Sequence, residues 1–232
     1  MGRVIGGVEF GDAVFEPTPT AWAAPAGAPV LLFGGSFDPA HRAHIELAIR
    51  ARDALFGAAG WLVFVPAARN PLKPEGPVAG DADRVAMLGL AIGGTDRCEV
   101  WTDEIDRGGA SFWVHTLARA ASVAGGARLR FLIGADQALA FERWREAGVI
   151  LSLAEPAVLL REPTGTREAF RRAMQMSGQD PGEWMGRLIG GGVMAGSSTE
   201  IRAAIAAGRD VSALVGSAVK GYIRERGLYR AR

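Results

Sequence analysis

Cysteine is nearly missing from this chain: Cys98 stands alone among 232 residues. No intrachain disulfide can form, and no cysteine cluster can hold zinc. A single cysteine usually serves as a small apolar group, and Cys98 is read that way. Histidine is almost as scarce, with three in the chain. An excess of one charge is missing too, since 26 Lys and Arg against 25 Asp and Glu leave a formal net charge of +1. That balance supplies no broad field for a nucleic-acid polymer or a membrane surface, although it permits a local phosphate site. No apolar run is long enough to span a bilayer. The stretch before Pro29 carries Pro17, Pro19 and Pro25 among small residues. It lacks the cationic start and apolar block of a secretory signal, so a cytoplasmic location is expected.

Apolar residues are plentiful at 49%, enough for a sizeable core in one large domain. PVLLFGG from Pro29, WLVFVP (61–66), a run near Glu99 to Thr102, LRFLIG (129–134), AVLL (157–160) and a short run near Arg187 to Ile189 read as strands. Helical residues cover about 41–56, 85–92, 112–121, the stretch after Gly134 through Leu151, 167–176, 199–207 and 217–226. This alternation predicts an α/β fold: a Rossmann-like, doubly wound parallel sheet with helices on both faces, forming a single domain over 29–232. Residues 1–28 are expected to be a flexible or loosely docked extension. Ligands of such sheets bind outside the strand C-termini, where the chemistry-bearing motifs fall.

The first motif is GGSFDPAHRAH, Gly34 to His44. Gly34 and Gly35 let the backbone turn sharply and approach a ligand. A helix begins close to His41, and residues three apart share a face, so His41 and His44 should point the same way. Exposed N–H groups and the helix dipole favour an anion at that turn. Two imidazoles beside those amides can stabilise charge developing on a transferred phosphate. A glycine turn with two ordinary helix-start histidines is the plain alternative. A metal pair is another, but no third protein ligand is evident nearby. With two of the three histidines in one turn, phosphate binding is the better account.

GGSFDPAHRAH resembles the GGSFDPxHxGH signature of the bacterial nicotinate-nucleotide adenylyltransferases, within the HxGH nucleotidyltransferase superfamily. Ala43 replaces the usual glycine, which is tolerable if the helix has begun there and harmful if a positive φ is required. A distant segment, GSSTEIR (Gly196 to Arg202), resembles the family's ISSTxIR. Ser197, Ser198 and Thr199 offer hydroxyls and amides at a helix start, and Arg202 follows one turn on from Thr199. A simple N-cap with a surface arginine is the plain reading of those residues. Gly190 to Ala195 also fits the G-x-G-x-x-A fingerprint, but it comes late in the chain and reads as a strand-to-loop turn.

Further segments extend the resemblance over nearly all of Pro29 to Tyr229. GADQALAFERW (134–144) is similar to the family's GaDnl…W segment. The resemblance implies that Gly134 and Asp136 meet the adenosine, with helix capping as the plain role of Asp136. It implies that Trp144 stacks on the pyridine ring, although a helix tryptophan is more often core. NPLK (70–73) looks like the family's loop ending in PHK, with Leu72 for histidine and Lys73 available to a mononucleotide phosphate. In RGGASFWVHTL (107–117), Phe112, Trp113 and His115 replace the Tyr, Thr and Asp of SYTxDTL, the largest departure from the pattern. The closing helix has Gly216 where proline is usual.

The resemblance implies adenylyl transfer from ATP to nicotinate mononucleotide, releasing diphosphate in NAD biosynthesis. His41, His44 and Arg202 are the implied catalytic residues, His41 at the α-phosphate and His44 chiefly at the outer phosphates. Gly34, Gly35, Ser36, Phe37, Gly134, Asp136, Ser197, Ser198 and Thr199 join them in the ATP site. Lys73, Trp113, Trp144 and Arg145 are assigned to the mononucleotide. Mg²⁺ is expected to arrive with ATP, since the motifs supply no carboxylate cage. A homo-oligomer is compatible with the sequence. Two other readings stand beside this one: a sister transferase for nicotinamide mononucleotide or phosphopantetheine, and a non-catalytic nucleotide-binding regulator.

Overall fold

The computed structural model describes residues 20–71, 75–160, 164–190 and 196–230, and the backbone of 3–5 and 8–10. An antiparallel pair, β1 (Arg3–Ile5) and β2 (Val8–Phe10), stands apart from the main sheet. The main sheet is built from apolar runs that need no polar alternation, because helices cover both faces. Its strands are β3 (Val30–Gly35), β4 (Trp61–Pro66), β5 (Cys98–Val100), β6 (Leu129–Gly134), β7 (Glu155–Leu159) and β8 (Leu188–Ile189). All six are parallel, in the order β5-β4-β3-β6-β7-β8.

That order fixes where a ligand can sit. The chain steps outward from β3 to β4 and β5, then crosses to β6 and steps outward the other way. Phe33 of β3 lies opposite both Phe64 of β4 and Leu132 of β6, so β3 and β6 are central neighbours. Their connections leave in opposite directions and open a crevice at their C-terminal ends. The doubly wound expectation holds.

Alternate residues of each strand enter opposite cores. Leu31, Leu62, Phe64 and Leu132 pack with α1 (Arg42–Phe56) and α2 (Asp81–Ile92) on one face. Leu32, Val63, Phe131 and Ile133 pack on the other face, which is covered by α3 (Asp103–Arg107), α4 (Trp113–Val123), α5 (Ala135–Leu139), α6 (Ala147–Leu153), α7 (Arg167–Met176) and α8 (Pro181–Gly186). A third cluster joins Met87 of α2 to α9 (Ser198–Ala206), α10 (Ser212–Val215) and α11 (Ser217–Arg226) through Ile201, Val215, Val219 and Ile223.

The differences from expectation are local. The helical stretch after Gly134 is broken by a 3₁₀ turn at Phe141–Arg143 and by Glu146, whose φ of 57° is left-handed. This break leaves Trp144 extended between two helices, at the crevice. The third strand stops at Val100 because Trp101 turns inward, its indole N–H donating to the Thr20 carbonyl at 2.7 Å. Residues 20–28 are thereby docked on the domain: the Trp22 ring lies 5.4 Å from Trp101, and Ala24 is buried. Three short helices, α3, α8 and α10, were not expected, as each is too short to show an apolar period.

Candidate active site

The loop after β3 is held in an unusual shape by its own side chains. Phe37 has a φ of 47°, in the region that disfavours residues with a Cβ, yet it is 2% exposed. Burial fixes it: its ring meets Phe33 edge-on at 5.5 Å and Phe64 at 5.8 Å. Gly35 permits this fold-back, since a Cβ there would stand 3.1 Å from the Phe37 ring. The next residue, Asp38, is buried, and its carboxylate accepts from Val78 N at 2.7 Å, Ala79 N at 3.1 Å and the Tyr229 hydroxyl at 2.6 Å. From below, the fully buried Arg84 donates to the Ser36 carbonyl and the Ala67 carbonyl, each at 2.7 Å, and to Asp81 at 2.5 Å. One guanidinium thus fastens the ends of β3 and β4 together.

His41 is the N-cap of α1, and His44 lies in its first turn. Their rings stack at 3.7 Å between centroids and 27° between planes, so both histidines share the face expected of them. His44 also meets the Phe37 ring edge-on at 5.2 Å. His41 is 4% exposed, and burial lowers its pKa to about 4. It is therefore neutral near pH 7 and donates from one ring nitrogen. Ala43 is already helical and buried, and its φ is not positive, so the missing glycine costs the loop no conformation.

The second motif docks on the first. Ser197 is the N-cap of α9, its hydroxyl accepting from Glu200 N at 3.2 Å while Glu200 accepts from Ser197 N at 3.0 Å. The plain capping reading therefore fits Ser197. Ser198 does something else: its hydroxyl donates to the Pro39 carbonyl at 3.0 Å. Arg202 donates through Nη1 to the Asp38 carbonyl at 2.6 Å and through Nη2 to the Thr199 hydroxyl at 3.3 Å. An arginine has five N–H donors, so Arg202 can brace the loop and still serve a phosphate. Thr199 is exposed at the same helix start.

Across the switch point, Gly134 N donates to the Gln137 side chain at 3.0 Å, and Asp136 is exposed in the first turn of α5. Beside these lies a cavity of about 280 Å³, lined by Gly34 and Gly35, by Asn70 and Pro71, and by Phe112, Trp113, Trp144 and Arg145. Trp113 presses so closely on Gly34 that a Cβ there would fall 2.8 Å from its ring. Gly34 is thus required by an aromatic neighbour as well as by the turn. The indole N–H groups of Trp113 and Trp144 are buried and find no acceptor among the described residues. Such donors cost free energy unless a ligand accepts from them. Trp144 backs onto Phe141 at 5.1 Å, and the Arg145 guanidinium lies 4.9 Å over the Phe112 ring.

A buried framework places Trp113. Arg119 of α4 grips Asp103 of α3 through contacts of 2.6 and 2.8 Å, and the Thr116 hydroxyl donates to Glu104. Burial raises the pKa of Glu104, which also lines the cavity. Ser111 fixes the facing loop by accepting from Ala68 N at 3.0 Å.

The crevice therefore gathers Gly34, Gly35, Ser36, His41, His44, Ser198, Thr199 and Arg202 on one side, and Trp113, Trp144 and Arg145 on the other, whereas the Phe37 side chain, expected at the ATP, is buried in the core. Lys73 and Leu72 lie outside the described residues, as do 191–195 of the glycine-rich fingerprint. Asp38, Arg84 and Tyr229 were not foreseen. A lone arginine in a helix and a near-terminal tyrosine give no pattern, because their partners are far away in sequence. Cys98 is half-buried in β5 and accepts from Arg52 at 3.4 Å.

A doubly wound sheet with stacked histidines at its switch point defines the class, a nucleotide-binding α/β protein of the nucleotidyltransferase type. The cytidylyltransferase-like family model matches residues 32–204. A protein of Bordetella avium named probable nicotinate-nucleotide adenylyltransferase is 36% identical over 203 residues, covering 86% of this chain and 96% of that one. One of the same name from Gemmatimonas aurantiaca is 33% identical, covering 86% and 91%. The Plasmodium falciparum nicotinic acid mononucleotide adenylyltransferase, solved with NaAD, shares the fold at a TM-score of 0.64 and 14% identity over 87% of this chain and 97% of that one. The chain belongs to the cytidylyltransferase-like family and, within it, to the nicotinate-nucleotide adenylyltransferases.

Proposed function

We infer that the protein transfers the adenylyl group of ATP to nicotinate mononucleotide, forming nicotinate adenine dinucleotide and diphosphate on the route to NAD. The observation that carries this reading is the double closure of one loop. The stacked His41 and His44 sit at the switch point, and Ser198 and Arg202 grip the same loop at 3.0 and 2.6 Å.

The chemistry asks little covalent work of the protein. The acceptor's 5′-phosphate is anionic at neutral pH and needs no strong base. Its oxygen attacks Pα in line, a P–O bond forms, and the bond from Pα to the bridging oxygen of diphosphate breaks. Alignment and neutralisation of charge carry such a transfer. His41 donates to the α-phosphate as it becomes pentacoordinate, and His44 serves the outer phosphates. Thr199, the backbone N–H of Ser198 at the start of α9, and Arg202 hold the departing diphosphate.

Mg²⁺ would arrive with ATP. Among the described residues no group of three His, Cys, Asp or Glu is placed to hold a metal. The carboxylate of the loop, Asp38, is engaged by Val78, Ala79 and Tyr229. With no carboxylate cage in the motifs, the ion would keep much of its water and be held by the phosphates.

Support for the acid form of the pyridine comes from the cavity. Its charged lining is Arg143, Arg145 and Glu104, and burial favours the neutral form of the glutamate. Flat aromatic walls suit a ring, and the two arginines suit a carboxylate better than a neutral amide. The test is diphosphate release from Mg·ATP with nicotinate mononucleotide, nicotinamide mononucleotide and phosphopantetheine in turn. Turnover with the nicotinate form alone is expected. Preference for either other acceptor overturns the assignment, and ATP binding without turnover of any acceptor indicates a regulator.

A further inference from the structure

Asp38 joins four parts of the chain that are far apart in sequence. The residue is 3% exposed, and its carboxylate accepts from the amides of residues 78 and 79 and from Tyr229, while Arg202 holds its carbonyl and stands 3.7 Å from Oδ2. Tyr229 is the least expected member of this set. It lies just past α11, where Gly227 and Tyr229 itself turn the chain with φ of 64° and 61°. An ordinary side chain avoids that conformation, so the turn persists because its contacts hold it. The tyrosine packs with the cluster of Met87, Ile201 and Ile223 and carries its hydroxyl to 2.6 Å from Asp38. Burial and the adjacent carboxylate push the phenol pKa well above its usual range, so it remains a donor.

We propose that Tyr229 is a positioning residue for the ATP site: by donating to Asp38 it fixes the loop Ser36–His41 at the spacing from α9 that a bound triphosphate needs. This rests on the reading that the loop holds ATP. The arrangement is economical, because the same aspartate fixes the segment at 78–79 with its other lone pairs. Losing the phenol would free one lone pair and release the Asp38 side chain from the end of α11, while Arg84, Arg202 and Ser198 still held the backbone at Ser36, Asp38 and Pro39.

The chain contains a built-in control. Its only two tyrosines both donate to aspartates, and Tyr222 binds Asp83 of α2 at 2.8 Å, away from the loop. Tyr229→Phe and Tyr222→Phe each delete one hydroxyl and keep the ring. Tyr229→Phe is expected to weaken ATP about tenfold, in both KM and equilibrium Kd measured by calorimetry, with the mononucleotide KM unchanged. Tyr222→Phe should leave both KM values alone, whatever it does to Tm. A chain ending at Leu228 should reproduce the ATP effect. The proposal is overturned if Tyr229→Phe binds ATP as wild type does, or if both tyrosine variants weaken ATP equally. The Kd comparison stands even if no acceptor is turned over, which would sink the transfer reaction alone. A wild-type protein that failed to bind ATP would overturn the loop reading and this proposal together.

Discussion

The two sides of the crevice meet at Gly34 and are built in opposite ways. On the side of the GGSFDPAHRAH loop, many polar groups have protein partners: Asp38, Ser198, Arg202 and Arg84 each bond backbone, and Asp38, Arg202 and Arg84 bond side chains as well. On the cavity side the walls are aromatic, and the indole N–H groups of Trp113 and Trp144 have no acceptor among the described residues. A triphosphate carries charge that must be met at fixed points, so its cradle is braced in advance and costs no rearrangement during reaction. A flat ring is held by contact area, and its charged group would be met by Arg143 and Arg145 of the lining. Damage to the first side should therefore appear in turnover or in ATP binding, and damage to the second in acceptor binding.

The largest effect expected from that division is at His41. His41→Ala should lower kcat about 10²- to 10³-fold, the usual loss on removing one preorganised donor to a developing charge, and change the KM for ATP only a few-fold. Steady-state kinetics with both substrates varied measures the two separately. A variant with normal kcat and a raised KM would reduce His41 to a binding contact and erase the proposed contrast.

His41 also links the site to stability. Its folded pKa is about 4, against 6.5 for the unperturbed group. Between those values the unfolded chain takes up a proton that the folded protein refuses. Stability is therefore full above about pH 6.5 and is lost as pH falls toward about 4, by up to about 3 kcal/mol. Urea unfolding at pH 7 and pH 5 should show the decline, and His41→Gln should flatten it. An unchanged slope in the variant would mean that another group causes the acid sensitivity.

The same contrast explains what could be read without coordinates. His41 and His44 stood out because histidines are scarce and these are one helical turn apart, and the rings do stack. The strands Trp61–Pro66 and Leu129–Gly134 and the helices Arg167–Met176 and Ser217–Arg226 were legible end to end, being periodic or largely apolar. The bracing of the loop was not legible, because Asp38 meets Tyr229 across 191 positions and Arg202 across 164. No local pattern encodes such pairs. Nor could the sequence show that Trp113 lies on Gly34, since a rotamer decides it. The long helix expected after Gly134 failed for a related reason: a left-handed Glu146 leaves no trace in hydrophobic spacing.

On the cavity side, Trp144→Ala should raise the KM for nicotinate mononucleotide about tenfold, near the middle of the range for loss of a stacked ring, with the KM for ATP almost unchanged. Its backing ring, Phe141, is buried, so the wall itself should survive the change. The opposite pattern, with ATP weakened and the mononucleotide unaffected, would place the ring on the adenosine and exchange the two sides.

The smallest effect should come from restoring the residue that the family pattern has at position 43. Two small positions in one motif behave differently. At Gly34 a Cβ would collide with Trp113, whereas Ala43 already carries one, buried in the second position of α1. A methyl group facing inward cannot obstruct a phosphate on the open side of the loop. Ala43→Gly should therefore leave both KM values and kcat within about twofold. It should lower stability by about 0.5–1 kcal/mol, the entropy cost of glycine in a helix, seen as a small fall in Tm. A clear gain in ATP affinity would show instead that the alanine holds the helix start away from the phosphates, and that the loop is less completely fitted to its ligand than its bracing suggests.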